Sequence, residues 1–344
     1  MNNPLTTLIL PIHNESSYIE SGLQAIARQV YPTDCIEILI ADGMSTDETR
    51  SLIHDFSVLH PQVKIRIMDN PGLVVPIGLN SAMRQAQGEF IIRVDGHTVI
   101  APDYVRQCVA ALQRTQADNV GGRMNAIGVT PFGDAVAVAT STPFGIGGGR
   151  FHYSDREEWV DTVYMGAWPR RVFERIGLFD EELVRDQDDE FNYRLRENGG
   201  KILLSPAIKS EYTVRRTPTA LWKQYYQYGF WKVRVLQKHP HQMSLRQFVP
   251  PAFVLGLLIS VLFVFSPILR PLFPVIPLLY LVSNLFASIY NAFKRGWEYL
   301  PLLPFVFAIL HVSYGTGFLV GLIKFTRRWG DRAGKVPSFH PGLD

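Results

Sequence analysis

The chain has 344 residues, a formal net charge of +3 and a hydrophobic fraction of 47%. The length favours a main domain with an additional part, and the small net charge argues against nucleic acid as a partner. Residues 1–248 have the composition of an ordinary α/β protein, whereas residues 249–326 contain very few charges. Two cysteines, Cys35 and Cys108, lie in apolar segments and are predicted to be reduced core residues.

Apolar runs of strand length alternate with amphipathic helical segments through the first third of the chain. Strands are predicted at residues 5–12, 35–41, 63–68 and 89–94, each followed by a helix. This alternation indicates a parallel, doubly wound sheet. A capping box at residues 45–48 is predicted to open the second helix. The apolar run at residues 8–10 is too short for a signal peptide, so the N-terminal part is expected to remain in the cytoplasm.

The carboxyl ends of the predicted strands carry acids, at the edge where ligands of such sheets collect. These ends are residues 11–15, Asp42-Gly43, Asp69-Asn70 and Asp95-Gly96-His97. Carboxylates repel a phosphate, but they hydrogen-bond a ribose or base and hold a divalent cation that binds a diphosphate. The glycine-rich fingerprints of nicotinamide sites and P-loops are missing, which argues against those functions. Because Asp-Gly is also a common turn dipeptide, a solvated turn is the alternative at residues 95–97.

The segments at these strand ends match a known family together with two later segments. The matching segments are residues 11–15 (PIHNE), 38–49 (ILIADGMSTDET), 93–97 (RVDGH), 178–182 (LFDEE) and 186–199 (DQDDEFNYRLRENG). Over roughly residues 5–240 the chain resembles family 2 glycosyltransferases of the GT-A fold. It is most similar to the membrane-attached bacterial enzymes of succinoglycan-type exopolysaccharide synthesis. The resemblance implies an α/β fold, with a GT-A (Rossmann-like, mostly parallel sheet) catalytic domain followed by a C-terminal helical membrane region.

The resemblance also implies which residues bind the donor and a metal. The implied donor-binding residues are Pro11, Asn14, Glu15, Asp42 and Asp95. Asp95-Gly96-His97 stands where the family usually has Asp-x-Asp, so Asp95 and His97 become the implied metal ligands. Imidazole is a poor ligand for Mg²⁺ but acceptable to Mn²⁺. A divalent metal is therefore expected, with Mn²⁺ preferred and Mg²⁺ possible.

An acid cluster at residues 186–190 opens a predicted helix. Acids in a first helical turn complement the helix dipole, but four acids in five positions exceed what capping needs. In the family the general base lies six residues before the arginine of an Arg-Leu pair. That spacing from Arg194 assigns the role to Asp188, with Asp186 and Asp189 as alternatives. One base opposite the leaving group implies direct displacement with inversion.

The C-terminal third has the pattern of a membrane region. Residues 218–248 mix aromatic and basic residues, as in a helix at a membrane surface. Three apolar stretches follow at about 251–269, 272–293 and 300–325, each near the ~20 residues that a spanning helix needs. Three full spans would place the basic residues after 326 outside, so one stretch is alternatively re-entrant or interfacial.

The predicted division is a GT-A domain at 1–217, an amphipathic interfacial region at 218–248, and a membrane region at 249–344. The last part contains two or three hydrophobic segments and a short basic tail. The expected location is the bacterial cytoplasmic membrane, multi-pass, with the catalytic domain facing the cytoplasm.

The predicted function is an inverting hexosyltransferase that moves a sugar from a nucleotide-diphosphate donor, UDP-glucose as first choice. The predicted acceptor is a lipid-linked (polyprenyl diphosphate) saccharide of exopolysaccharide synthesis. A processive polysaccharide synthase and a catalytically dead scaffold that binds sugar nucleotides are the alternatives. The family's processive members carry Gln-x-x-Arg-Trp, and here Phe230 stands before Trp231, which disfavours the synthase.

Overall fold

The structure is a computed structural model that describes residues 3–241, 243–332 and 334–339. Its residues divide into two compact units. Within the described residues, unit 1 comprises 3–125, 150–212 and the tail 334–339, and unit 2 comprises 126–149 and 213–332. Residues 126–149 therefore belong to the same compact unit as the C-terminal helices, and the tail belongs to the unit that contains the sheet. The domain division predicted at residues 217 and 248 stays a prediction.

The elements are numbered in chain order. The strands are β1 (Thr6–Ile12), β2 (Ile36–Asp42), β3 (Ile65–Asp69), β4 (Phe90–Arg93), β5 (Thr98–Ile100), β6 (Asn119–Ile127), β7 (Glu158–Val160), β8 (Tyr164–Pro169) and β9 (Ile202–Thr213). The first helices are α1 (Ile19–Ala27), α2 (Thr49–Leu59), α3 (Val75–Gln85), α4 (Tyr104–Thr115), α5 (Pro131–Thr140) and α6 (Pro143–Ile146). The later helices are α7 (Arg171–Ile176), α8 (Gln187–Glu197), α9 (Pro218–Lys238), α10 (Val249–Phe263), α11 (Val275–Arg295) and α12 (Leu303–Lys324).

The described strands form one sheet with the order β3-β2-β1-β4-β8-β6-β9-β5, and β7 pairs with β9. β3, β2, β1 and β4 are parallel neighbours, which confirms the mostly parallel sheet predicted for the first half of the chain. β8 then joins β4 in the antiparallel direction, and β5, β6 and β7 also have antiparallel partners. The sheet is therefore a parallel α/β core with an antiparallel extension.

Helices cover both faces of the parallel core. Along β1, Leu8 and Leu10 contribute to one hydrophobic cluster and Ile9 contributes to the other, as the alternation of side chains along a strand requires. The first cluster contains apolar side chains of α1, α2 and α4, and the second contains those of α3, α7 and α8. Burial on both faces explains why these strands are near-continuous apolar runs in the sequence.

The predicted capping box at residues 45–48 is wrong. Helix α2 begins at Thr49, and its N-cap residue Glu48 makes no side-chain cap. The Ser45 hydroxyl instead donates to the Asp42 carboxylate at 2.5 Å. A buried carboxylate at the end of β2 thus competes successfully for the hydroxyl, because leaving it without donors would be costly. The other helices and strands predicted in the first 115 residues begin and end within a few residues of their predicted bounds.

Unit 2 consists of helices and short connections. Among its described residues, three helical segments are long and apolar enough to cross a membrane: Leu245–Phe263, Arg270–Arg295 and Leu303–Lys324. They confirm the three apolar stretches predicted from the sequence. The two cysteines are free thiols, with Cys108 buried and Cys35 half-buried, as predicted for core residues.

Candidate active site

The parallel register brings three strand ends level at one edge of the sheet. Ile12 at the end of β1 lies beside Asp42, and Asp42 lies beside Asp69 at the end of β3. Pro11 pairs with Ala41, beyond the last residue of β1 that has a partner in β4. A proline is tolerated there because no partner on that side needs its missing N–H.

Asp42 is fully buried. It accepts hydrogen bonds from the backbone nitrogen of Ser45 at 3.2 Å and from its hydroxyl at 2.5 Å. The Arg50 guanidinium also binds Asp42, and it reaches Asp69 as well. Arg50 was not among the residues predicted for the site. Arg50 lies in the first turn of α2, where a positive charge is unfavourable because it opposes the helix dipole. In the sequence, this unfavourable position was the sign that Arg50 pairs with an acid.

Asn14 connects the end of β1 to the loop that follows β2. Its backbone nitrogen donates to the Ser45 hydroxyl at 2.9 Å, and its side-chain oxygen accepts from the Thr46 nitrogen at 2.9 Å. The residue has a φ of +53°, a left-handed conformation that asparagine tolerates better than most residues. Asn14 and Asp42 together therefore fix the shape of this loop.

The end of β4 carries a buried arginine that links two predicted site residues. The Arg93 Nε donates to Asp95 Oδ1 at 2.6 Å. Burial opposes the positive charge of Arg93, but the carboxylates of Asp95 and Asp188 outweigh it and raise the pKa of the guanidinium. Asp95 at the end of β4 and Asp188 in the first turn of α8 thus act on one cation. Sequence reasoning missed Arg93, although an arginine inside the apolar run 90–94 was the signal.

A second nitrogen of this guanidinium is available to a ligand. Arg93 Nη1 is buried and has no hydrogen-bond partner among the described residues. A buried donor without an acceptor costs about 1–3 kcal/mol. An anionic or hydroxyl-bearing ligand at this edge of the sheet would remove that cost.

His97 is held by contacts on several sides. Its Nδ1 lies 3.1 Å from Glu15 Oε1, and its ring meets those of Tyr18 and Tyr212 edge-on, with centroids 6.5 and 5.3 Å away. A Cβ at Gly96 would lie 2.9 Å from Ile12 and 3.1 Å from Glu15, closer than real Cβ atoms approach in the first case. The glycine therefore lets the turn at residues 96–97 lie close to Ile12 and Glu15. His97 in this turn also contacts Glu15 and two tyrosines.

The carboxylate of Asp95 and the imidazole of His97 are groups that a divalent transition-metal ion accepts as ligands. No cluster of three or more potential metal-ligating side chains occurs within residues 3–241, 243–332 and 334–339. Mg²⁺ and similar ions in nucleotide sites need only one or two protein ligands, because phosphate oxygens and waters supply the rest. A histidine whose Nδ1 is hydrogen-bonded to a carboxylate presents Nε2 to the metal, as metal-bound histidines commonly do.

The acids at the start of α8 have different environments. Glu190 is buried and forms a salt bridge with Arg194 at 2.9 Å. Asp189 accepts a hydrogen bond from the Thr162 hydroxyl at 3.2 Å. Asp188 is half-buried and accepts from the backbone nitrogen of Asp189 at 3.0 Å. The charge of Asp188 contributes to the raised pKa of Arg93.

The aromatic residues near the site divide into core and lining residues. Trp168 is buried against Phe173, Phe179 and Phe191, with ring centroids 5.7–6.0 Å apart, so it is a core residue. The Tyr164 hydroxyl lies 2.7 Å from the Thr98 hydroxyl. Burial, and next the charge of Asp95, raises the pKa of Tyr164 well above its usual 10.0, so this phenol stays protonated beside the carboxylate.

Comparison with known proteins gives the family. The sequence model described as Glycosyl transferase family 2 matches residues 7–177. A dolichyl N-acetyl-alpha-D-glucosaminyl phosphate 3-beta-D-2,3-diacetamido-2,3-dideoxy-beta-D-glucuronosyltransferase of Methanococcus voltae is 30% identical over 92% of this chain and 97% of its own length. The chain belongs to glycosyltransferase family 2. This family 2 enzyme is also 26% identical to the succinoglycan biosynthesis protein ExoA of Rhizobium meliloti (strain 1021), over 93% of this chain and 96% of that protein.

A solved structure of low sequence identity supports the fold. The mannosyltransferase PcManGT from Pyrobaculum calidifontis, in complex with GDP-Man and Mn²⁺, has a TM-score of 0.58 and 18% identity. The alignment covers 94% of this family 2 glycosyltransferase and 88% of PcManGT. The predicted GT-A fold is confirmed.

Proposed function

We propose that this family 2 glycosyltransferase inverts the anomeric centre of a hexose as it transfers it from a UDP-sugar, UDP-glucose first, to a lipid-linked saccharide. The proposed acceptor carrier is a polyprenyl diphosphate at the cytoplasmic side of a bacterial inner membrane. The observation that carries the proposal is the buried Arg93, on which Asp95 and Asp188 both act. It supports a single site with the donor-side acid at one end and the proposed base at the other.

On the donor side, the nucleotide is proposed to lie against the loop after β2. Asn14 and Asp42 fix that loop, and Arg50 couples Asp42 to Asp69. Pro11 lies one residue before the end of β1, and Glu15 is proposed to act through His97, which it contacts. Asp95 and His97 would hold the divalent cation, Mn²⁺ in preference to Mg²⁺ because one ligand is an imidazole. When bound, the cation neutralises charge on the departing diphosphate.

On the acceptor side, Asp188 is proposed to take the proton from the attacking hydroxyl. A carboxylate within hydrogen-bond reach of the hydroxyl can accept its proton as the new glycosidic bond forms and the bond to the diphosphate breaks. A single base on the face opposite the leaving group suffices for inversion, whereas glycosidases use a pair of carboxylates. The Arg93 guanidinium would donate its unpaired Nη1–H to the donor.

The relatives support the acceptor class. The Methanococcus voltae enzyme is named for its action on a dolichyl phosphate-linked sugar, and the Rhizobium meliloti protein is named for succinoglycan biosynthesis. In the part of the chain that the structure describes, three helices are long and apolar enough to cross a membrane. A membrane-bound lipid acceptor agrees with all three observations.

The proposal is tested with membranes that contain the full chain, incubated with Mn²⁺ and a panel of nucleotide sugars. Nucleotide diphosphate release is measured with and without extracted polyprenyl-linked oligosaccharides. We expect release from one UDP-hexose, strictly dependent on the lipid acceptor. Release that depends on a soluble acceptor would contradict the proposed lipid-linked acceptor. Donor binding without diphosphate release from any donor would favour the catalytically dead scaffold.

A further inference from the structure

The chain leaves unit 1 after Tyr212, runs through the long apolar helices of unit 2, and then rejoins unit 1. Unit 1 ends at Tyr212 before the helices, and residues 334–339 belong to unit 1 again. In that tail, the Pro337 carbonyl accepts from Leu178 N and the Lys335 carbonyl accepts from Glu181 N, both at 2.9 Å. Phe339 is buried in a cluster with Phe173. The tail is therefore an integral part of the fold of unit 1.

This return limits the number of membrane crossings. No helix of unit 1, within its described residues, is long and apolar enough to span a bilayer, so unit 1 lies on one side. A chain that leaves and rejoins the same side crosses the membrane an even number of times. Three candidate helices lie between the two points, so at least one of them does not cross.

Of the three candidates, α12 is the helix that packs most extensively against other protein segments. Half of the apolar stretch of α12 is buried inside the structure, against 17% for each of the other two candidates. A Cβ at Gly317 or at Gly321 would meet the backbone of α9 at Tyr226 or Phe230, so the two helices are in close backbone contact. The Phe325 carbonyl, just after α12, accepts from Gln237 of α9 at 2.9 Å.

The partner helix α9 is not among the described helices that are long and apolar enough to span a bilayer. The contacting part of α9 contains Lys232, Arg234 and Lys238, all buried in unit 2. Charged side chains at the bilayer centre are costly and rare. The other half of α12 packs on α6, where His311 Nε2 is 2.8 Å from the Phe144 carbonyl. The segment with α6, residues 126–149, also leaves and rejoins unit 1 without a candidate span.

Helices α10 and α11 have the opposite character. Their large apolar side chains are exposed along both helices and at the connection between them, where Ile268 is 86% exposed. The buried residues of α11 are all in its C-terminal half, from Asn284 onward. Basic residues flank the hairpin at its base, Arg246 before α10 and Lys294-Arg295 at the end of α11, as the positive-inside tendency favours.

We infer that the lipid acyl chains of the bilayer surround the α10–α11 hairpin, which enters and returns to the side of unit 1. Helix α12 lies on that side in the interfacial layer with α9 and does not cross. The two helices of the hairpin cross the membrane twice. This even number returns the chain to the side of unit 1, where the tail packs. The inference does not depend on the identity of the donor or acceptor.

Single-cysteine labelling in sealed vesicles of either orientation tests this topology, with Cys35 replaced by serine and Cys108 left buried. The exposed reporter positions are His54→Cys in unit 1, Glu298→Cys before α12, Thr326→Cys after α12 and Ile268→Cys at the hairpin connection. With a membrane-impermeant maleimide, the first three should label in the same vesicle orientation, and Ile268→Cys should not label in that orientation. Labelling of Glu298→Cys and Thr326→Cys from opposite sides would overturn the inference, as would labelling of Ile268→Cys from the side of unit 1.

A second measurement uses the unaltered chain, so it tests the topology even if a cysteine variant fails to fold. Trypsin has sites before α12 at Lys294-Arg295 and after it at Arg327-Arg328. Mass spectrometry of peptides released from sealed vesicles should show both sites cut in one orientation and neither in the other. Cleavage of the two sites in opposite orientations would show that α12 crosses.

Discussion

The Nδ1 atom of His97 lies 3.1 Å from the Oε1 atom of Glu15. The two residues follow different strands, and the contact orients the imidazole. If Nδ1–H donates to Glu15, Nε2 carries the lone pair that a metal would bind.

Glu15→Ala should weaken Mn²⁺ binding about 10–100-fold, the usual effect of losing a carboxylate that orients a metal-bound histidine. Glu15→Gln keeps an acceptor oxygen and should lose less. Titration of Mn²⁺ by electron paramagnetic resonance in the presence of UDP measures this directly. Glu20→Gln, an exposed acid on α1, is the matched control. Unchanged Mn²⁺ affinity in Glu15→Ala would argue that Glu15 has no positioning role.

His97→Asp should shift the metal preference from Mn²⁺ toward Mg²⁺, because it replaces an imidazole with the oxygen ligand that Mg²⁺ prefers. The ratio of nucleotide diphosphate release with Mg²⁺ to that with Mn²⁺ is the measurement. His54→Asp on the exposed face of α2 controls for the added charge and should leave the ratio as in the wild type. If His97→Asp also leaves the ratio unchanged, His97 is not a metal ligand.

Asp188→Asn should lower the rate of transfer by about 10²–10⁴-fold, the contribution of a general base, while donor affinity stays within a few-fold. Asp189→Asn, its neighbour in α8, should keep activity within about tenfold, because weakening its hydrogen bond with Thr162 costs about 1 kcal/mol. Initial rates and calorimetric donor binding separate the two effects. Full activity in Asp188→Asn, with loss in Asp186→Asn or Asp189→Asn, would move the base to that residue.

Asp42→Asn should destabilise the protein by about 1–3 kcal/mol, because a buried carboxylate with several donors is replaced by an amide that accepts fewer of them. Asp69→Asn removes the other partner of the same arginine, but Asp69 is 64% exposed, and exposed ion pairs contribute about 0–1 kcal/mol. Thermal unfolding in detergent, followed by tryptophan fluorescence, gives the comparison. Equal effects of the two substitutions would contradict the role given to burial at Asp42.

His152 should make the protein sensitive to acid. Burial lowers the pKa of His152 to about 3 from 6.5, so unfolding takes up a proton between those values. Stability from this group is complete above pH 6.5 and falls as the pH drops toward 3, by at most about 1.4 kcal/mol per pH unit. His152→Gln should flatten the decline of the melting temperature between pH 6.5 and 4.5. A decline as steep as that of the wild type would refute the assignment.

Local patterns were sufficient for the parallel half of the sheet and for the apolar helices. The strands around Leu8 and Ile38 are buried on both faces, so each one is a continuous apolar run that is recognisable without its neighbours. The prediction that failed, the capping box at Ser45, was also local. It failed because Asp42, three residues earlier, is buried and takes the Ser45 hydroxyl, and burial is not a local property.

The candidate site was predicted only in part for the same reason. Asp95, His97 and Asp188 were singled out by their positions and by a family resemblance, and their roles stay predictions. Arg50 and Arg93 were missed, because what each does depends on carboxylates that only the folded chain brings near. Glu15 was predicted to bind the donor, and its contact with His97 required the approach of two strand ends around Gly96.

The amino-acid sequence alone was enough to place acids at strand ends, to identify the family by resemblance and to locate three apolar stretches, since each depends on neighbouring residues or fixed spacing. The tertiary structure decided which charges act on one another and where the chain goes after its last apolar helix. The tail at 334–339 shows why: its place beside Leu178 and Phe173 depends on long-range packing and backbone hydrogen bonds. Those contacts join parts of the chain that are far apart in sequence, and no repeating pattern of residues predicts them.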